Sequence, residues 1–158
     1  MYYFCLMEKL NSVFFYQLEK AIKTYRQYAQ GNLKRSGFDI TIDQWLVLKA
    51  LMDHEDISQS ELAEIVFKDK ASVTRIIELL VKNKYLRRDA HESRRRYKLT
   101  ATERGRNIMR DIRPVVLKNR ASALKKLTEI EIETGMKILK AIVSNCEKEL
   151  IDFKLNTK

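Results

Sequence analysis

One proline and four glycines in 158 residues are too few for a fold built on many tight turns. A sheet-rich architecture is thereby excluded and a mostly helical one expected. Cysteine is nearly as scarce. Cys5 and Cys146 cannot form a disulfide framework, which implies a reducing, cytoplasmic setting. The two histidines, His54 and His91, have no cysteine, histidine and carboxylate set at ligand spacing, so no metal site is expected. No apolar run approaches the ~18–20 residues of a membrane-spanning helix. The opening MYYFCLMEKL lacks the basic region, long apolar core and small-residue cleavage site of a secretory leader. There is also no nucleophile motif, no glycine-rich phosphate loop and no carboxylate pair that a helical fold would bring together. Neither catalysis nor a bound cofactor is expected.

What the chain does have is positive charge in one place. The net charge is +10, and between Lys68 and Arg106 there are 13 Lys and Arg against 5 Asp and Glu. Eight of the ten excess charges thus fall in about a quarter of the chain, the footprint of a nucleic-acid face. A solvated basic surface or an anionic membrane contact would look the same by charge alone. The 45% hydrophobic fraction and the length suit one domain, residues 1–158, with a buried core.

The pattern beneath that charge favours DNA. Ser58 and Glu61 form a capping box that opens a helix whose Leu62, Ile65 and Val66 share one face. Asp69 is the N-cap expected for a second helix, with Val73, Ile76, Ile77, Leu80 and Val81 turned inward. Two short helices so joined make a helix-turn-helix, whose second helix reads the major groove near its N-terminus. Lys70, Ser72, Thr74 and Arg75 stand there, Arg75 being suited to a guanine edge unless Glu78 pairs with it. Ser58, Gln59 and Ser60 suit a phosphate, although capping alone would also explain them, and Lys68 and Lys98 are further phosphate candidates. Tyr85–Arg88 and Arg96–Leu99 read as two strands about a turn at Asp89–Ser93, a wing with Arg94, Arg95 and Arg96 at its tip.

TIDQWLVLKAL, SQSELAEIV, DKASVTRIIELLVKNKYLRR and YKLTATERG, in that order and spacing, resemble the DNA-binding region of MarR-type transcriptional regulators. The resemblance runs from Thr41 to Gly105 and implies a winged helix-turn-helix over residues 41–104. It also implies dimerisation through terminal helices, repression of the chain's own or a neighbouring promoter, and release by small aromatic acids or phenols. By the family position, Arg94 is the wing residue for the minor groove, with Arg95 and Arg96 on the backbone. Two departures stand out. Where the family has glycine at the end of the recognition helix this chain has Lys84, so Asn83 is expected to supply the left-handed cap. Where the wing usually carries Asp-x-Arg, Glu92-Ser93-Arg94 stands one residue closer to Thr100.

The flanking segments read as helices. Leu6, Leu10, Phe14, Leu18, Ala21, Tyr25 and Tyr28 place an apolar stripe on a helix from about Phe4 to Gln30, ending in a loop at Gly31–Gly37. Thr41 and Gln44 cap the next helix, with Trp45, Leu48 and Leu51 or Met52 toward the core, and Ile57 is a candidate third strand. Thr100 and Glu103 are expected to open a helix from Ala101 to about Leu127, kinked at Pro114. Thr128 and Glu131 open the last, where Ile132, Met136, Leu139, Val143, Cys146, Leu150 and Phe153 form a heptad seam. Residues 1–36 and 105–158 therefore carry more apolar stripe than one chain can cover, and a homodimer on pseudo-palindromic double-stranded DNA is expected. Tyr25, Tyr28 and Trp45 are candidates to line a pocket for an aromatic effector, though aromatics at helical spacing also serve as plain core. Two rival readings remain: a winged helix that binds protein or RNA, and a redox switch at Cys5 or Cys146 on the same scaffold.

Overall fold

The first long helix, α1 (Phe14–Arg35), begins later and ends later than its stripe predicts. The computed structural model describes residues 9–54, 56–90 and 97–156, with side chains to residue 153, so Cys5, Leu6 and the predicted start at Phe4 lie outside the described residues. Ahead of α1 stands a single 3-10 turn, Leu10–Ser12. The Ser12 hydroxyl donates to Lys9 O at 2.6 Å, a local bond that competes with a continuous helix. At the other end the helix passes through Gly31 rather than stopping there. Burial of Ala29 and Leu33 offsets glycine's poor propensity, and the left-handed residue comes at Gly37, φ 82°.

Among the described residues five more helices and a hairpin follow in the order α2 (Ile42–Asp53), α3 (Gln59–Ile65), α4 (Lys70–Lys82), β1 (Leu86–Ala90), β2 (Tyr97–Ala101), α5 (Glu103–Ala123) and α6 (Glu129–Asn156). The capping boxes at Thr41–Gln44 and Ser58–Glu61 form as the sequence predicts, and Asp69 caps α4. At Thr128 the backbone N–H donates to Glu131 Oε2 at 2.7 Å and the hydroxyl accepts from Glu131 N at 3.3 Å, opening α6.

Three local expectations are corrected. The cap of α5 is Thr102, not Thr100. Thr100 and Ala101 stay in the ladder, opposite Arg87 and Leu86, so the chain turns helical only two residues on. The Thr102 hydroxyl then accepts from Gly105 N at 3.0 Å. Ile57 adds no third strand; it packs against the core, and the sheet of the described residues is two-stranded. Asn83 is an ordinary C-cap with φ −79°, and Lys84 takes the left-handed conformation, φ 61°. Its N–H donates to Val81 O and that of Tyr85 to Leu80 O, which closes the helix as a Schellman turn.

The chain divides into two compact units, Met1–Asn119 and Arg120–Lys158. In the first, Leu33, Ile40, Leu48, Leu62, Ile77, Leu80, Leu86 and Ile112 are fully buried, so α1 to α5 and β1 share one core. Asn32 Nδ2 donates to the buried Asn119 Oδ1 at 2.6 Å, joining α1 to α5. Pro114 lies inside α5, which continues on both sides of it. The second unit is chiefly α6, about 42 Å long at ~1.5 Å per residue. Of its predicted seam, Met136, Leu139, Val143, Leu150 and Phe153 are exposed, as is the free Cys146. No helix of the described residues is long and apolar enough to cross a membrane.

Candidate nucleic-acid interface

The helix-turn-helix is built by α3 and α4. Ser58 is held twice: its N–H donates to Glu61 Oε2 at 2.9 Å and its hydroxyl accepts from Glu61 N at 3.2 Å. Between the helices, Phe67 adopts φ 54° and lies fully exposed, while Asp69 reaches forward to α4. Asp69 accepts from Ser72 N at 2.8 Å and from the Ser72 hydroxyl at 2.6 Å. Those two bonds hold its carboxyl below the usual aspartate range.

The four predicted recognition residues do not present equal chemistry. Ser72 donates its hydroxyl proton to Asp69, and Thr74 donates its own to Lys70 O at 2.9 Å. Both are half-buried and can only accept while those bonds last. Lys70 and Arg75 are exposed, and among the described residues no ion pair joins Arg75 to Glu78. The free donors on this turn of α4 are therefore one lysine and one arginine.

The predicted phosphate residues scatter. Ser60 is exposed at the start of α3, and Gln59 donates its side-chain amide to Tyr97 Oη at 2.8 Å. Lys68 is paired, its Nζ 3.2 Å from Asp43 Oδ2 at the start of α2. Asp43 also accepts from Arg26 of α1, so one carboxylate ties α1, α2 and the turn before α4. Burial pushes the Asp43 carboxyl up, but the bonds and charges of Lys68 and Arg26 outweigh it and the net shift is downward. Lys98 lies on the hairpin face opposite Tyr97, beside His54, Asp56 and Arg106 along a cleft of about 410 Å³. Arg94, Arg95, Arg96 and His91 lie outside the described residues.

The hairpin pairs Leu86 with Ala101, Arg88 with Leu99 and Ala90 with Tyr97. Alternation places these six on one face, and the buried Leu86 shows that this face turns to the helices. Arg88 packs its guanidinium over the Tyr97 ring, 4.9 Å from the centroid. Sequence reasoning missed Arg88, Tyr97, Asp43 and Arg26. The period-2 alternation could have put Tyr97 on the inner face, but no local signal joins Asp43 to residues 17 before it and 25 after it.

An open cavity of about 400 Å³ lies where α1 meets the start of α2, lined by Arg26, Gln27, Gln30, Thr41, Ile42 and Asp43. The predicted pocket aromatics do not line it. Trp45 packs against the core, Tyr25 is half-buried on α1, and Tyr28 is a partly exposed α1 residue. Among the described residues no group of three or more His, Cys, Asp and Glu side chains could hold a metal ion.

Known proteins share this fold. A model of the MarR family matches residues 38–96. The HTH-type transcriptional regulator SarZ of Staphylococcus epidermidis is 32% identical over 104 residues, 65% of this chain and 66% of SarZ, just under two thirds of that relative's length. Among solved structures, Bordetella bronchiseptica BpsR, whose DNA binding is regulated by 6-hydroxynicotinic acid, superposes with a TM-score of 0.75 at 23% identity, covering 85% of this chain and 97% of BpsR. The S. aureus MepR–DNA complex gives a TM-score of 0.75 at 18% identity, covering 87% and 99%. At such identities the structures establish the fold alone, while the SarZ relative is a transcriptional regulator. The matched model, the SarZ relative and a winged helix-turn-helix raised on the same motifs agree: over residues 38–96 this chain is similar to the MarR family.

Proposed function

We propose that the protein is a cytoplasmic homodimeric repressor that binds a pseudo-palindromic stretch of double-stranded DNA and leaves it when a small aromatic acid binds. The observation that carries the DNA half is the pair of free cations, Lys70 and Arg75, on the first turns of a firmly capped α4. Arg75 reads a guanine edge and Lys70 a phosphate, with Ser60 and the wing residues Arg94, Arg95 and Arg96 adding backbone and minor-groove contacts. The MepR–DNA complex, on the same fold, supports this reading.

Dimerisation is supported by the exposed apolar side chains Leu10, Phe14, Phe15 and Ile22 near and along α1, and by the seam of α6. A second copy that covers these stripes sets two α4 helices about one DNA turn, roughly 34 Å, apart. For the effector, the cavity at the α1–α2 junction has a size typical of small-ligand sites, and Arg26 at its wall suits a carboxylate. Regulation of BpsR by 6-hydroxynicotinic acid supports an effector of that class.

The test is fluorescence anisotropy of the purified protein against a duplex it selects from a random library and against a scrambled control, over a salt series. A dimer that touches ~6–10 phosphates loses about 10³–10⁵ in affinity between 50 and 200 mM salt, and selected DNA binds ~10³-fold tighter than control. Flat salt dependence with no preference would return the protein to the interaction-module reading. Sedimentation that finds only monomer would remove the dimer, and a panel of aromatic acids that leaves both melting temperature and DNA affinity unmoved would remove the effector.

A further inference from the structure

We propose that Tyr97 is a positioning residue for DNA binding: its bond to Gln59 locks the wing to the first turn of α3, so that wing and recognition helix address adjacent grooves in one geometry. The proposal rests on the DNA-binding reading above and adds a residue to it. A two-stranded ribbon is marginal on its own, so its direction depends on what its inner face packs against. On that face the apolar anchoring ends early. Leu86 is buried at the root and Leu99 packs against the core, but beyond them come Arg88, the small Ala90 and then Tyr97. Tyr97 is thus the outermost inward-facing side chain of the described hairpin, and in sequence it directly follows Arg94, Arg95 and Arg96.

Its surroundings fit that task. The hydroxyl accepts from Gln59 Nε2 at 2.8 Å, a bond between the hairpin's outer end and α3. The ring holds the Arg88 guanidinium at 4.9 Å, a diagonal cross-strand contact that stiffens the ribbon at the same level. At 44% exposure the ring is not core, so removal of its hydroxyl leaves the lobe folded. Without that bond the wing swings about its root, and minor-groove contacts no longer form together with those of α4.

Tyr97→Phe keeps the ring and the Arg88 contact and deletes only the oxygen. The variant and the unaltered protein are compared on the selected duplex by anisotropy, hydroxyl-radical footprinting of the minor groove, methylation interference at guanine N7 in the major groove, and thermal melting. The expected result is about a three- to tenfold loss of affinity, the size of one neutral hydrogen bond. Minor-groove protection at the flanks fades, while major-groove interference and melting temperature stay as they were. Unchanged affinity and footprint would overturn the proposal alone. So would a joint loss of both groove signals with a lower melting temperature, because that is general destabilisation. Equal affinity of the unaltered protein for selected and scrambled DNA would overturn the DNA-binding reading and this proposal with it.

Discussion

Lys68 Nζ lies 3.2 Å from Asp43 Oδ2, so a lysine that the sequence offers to a phosphate is held by a carboxylate of α2. Arg26 shares that carboxylate from α1. Any phosphate that takes Lys68 must compete with Asp43.

Asp43→Asn is therefore expected to tighten DNA binding at low salt. Release of Lys68 adds a phosphate contact, so the slope of log affinity against log salt steepens by about one. Anisotropy over a salt series reads this directly, and a slope equal to that of the unaltered protein would place Lys68 away from DNA.

The same carboxylate gives a pH dependence of stability. Its folded value lies below the ordinary 3.8, so its contribution is fully present above that value and is lost as pH falls through the lowered folded one. Melting temperatures of the unaltered protein and Asp43→Asn, measured from pH 6 to 3, should differ by a constant amount down to about pH 4 and converge below it. A difference that grew on acidification would contradict the sign.

Lys84→Gly should stabilise. Lys84 sits at φ 61°, where a side chain costs roughly 1–2 kcal/mol and glycine costs little. Part of the gain is returned to the more flexible unfolded chain, which leaves about 1 kcal/mol, or ~2–4 °C in melting temperature. DNA affinity should not change if Lys84 makes no phosphate contact.

Gly105→Ala should be severe. A Cβ there would meet the Tyr85 carbonyl oxygen at 2.2 Å, and that oxygen is backbone, already bonded to Thr102 N at 3.0 Å. Neither element can yield without parting α5 from the end of α4. A loss of about 3 kcal/mol or more is expected, read as a fall of ~6–12 °C in melting temperature.

On α4, Arg75→Ala and Lys70→Ala should separate. Loss of a bidentate guanine contact costs ~1–3 kcal/mol and relaxes preference at one position of the selected duplex. Loss of Lys70 should weaken binding evenly across sequences and lower the salt slope by about one. A specificity profile that Arg75→Ala leaves intact would take the base-reading role from it.

Local chemistry was legible in the sequence wherever a few neighbouring residues decide it. Ser58 with Glu61, Thr41 with Gln44, Asp69 and Thr128 with Glu131 all cap the helices they announce, because each bond closes within three residues. The inward stripe of α4, Val73, Ile77 and Leu80, is buried as its helical spacing requires. The misread boundaries are those where a tertiary partner outbids a local signal. Thr100 could cap a helix, but β1 claims it for the ladder; Gly31 could end one, but Leu33 has a core to enter.

The helix-turn-helix, the hairpin, the basic concentration and the surplus of apolar stripe on the terminal helices were all readable from the linear chain, because periodicity and capping are short-range. Tertiary structure alone decided which of the polar residues are free. Ser72 and Thr74 have given up their donors, Lys68 is held by Asp43, and Gln59 is held by Tyr97, 38 residues away. Lys70 and Arg75 remain open. Whether a donor is available depends on which partner the fold brings within about 3 Å, and a linear chain does not carry that distance.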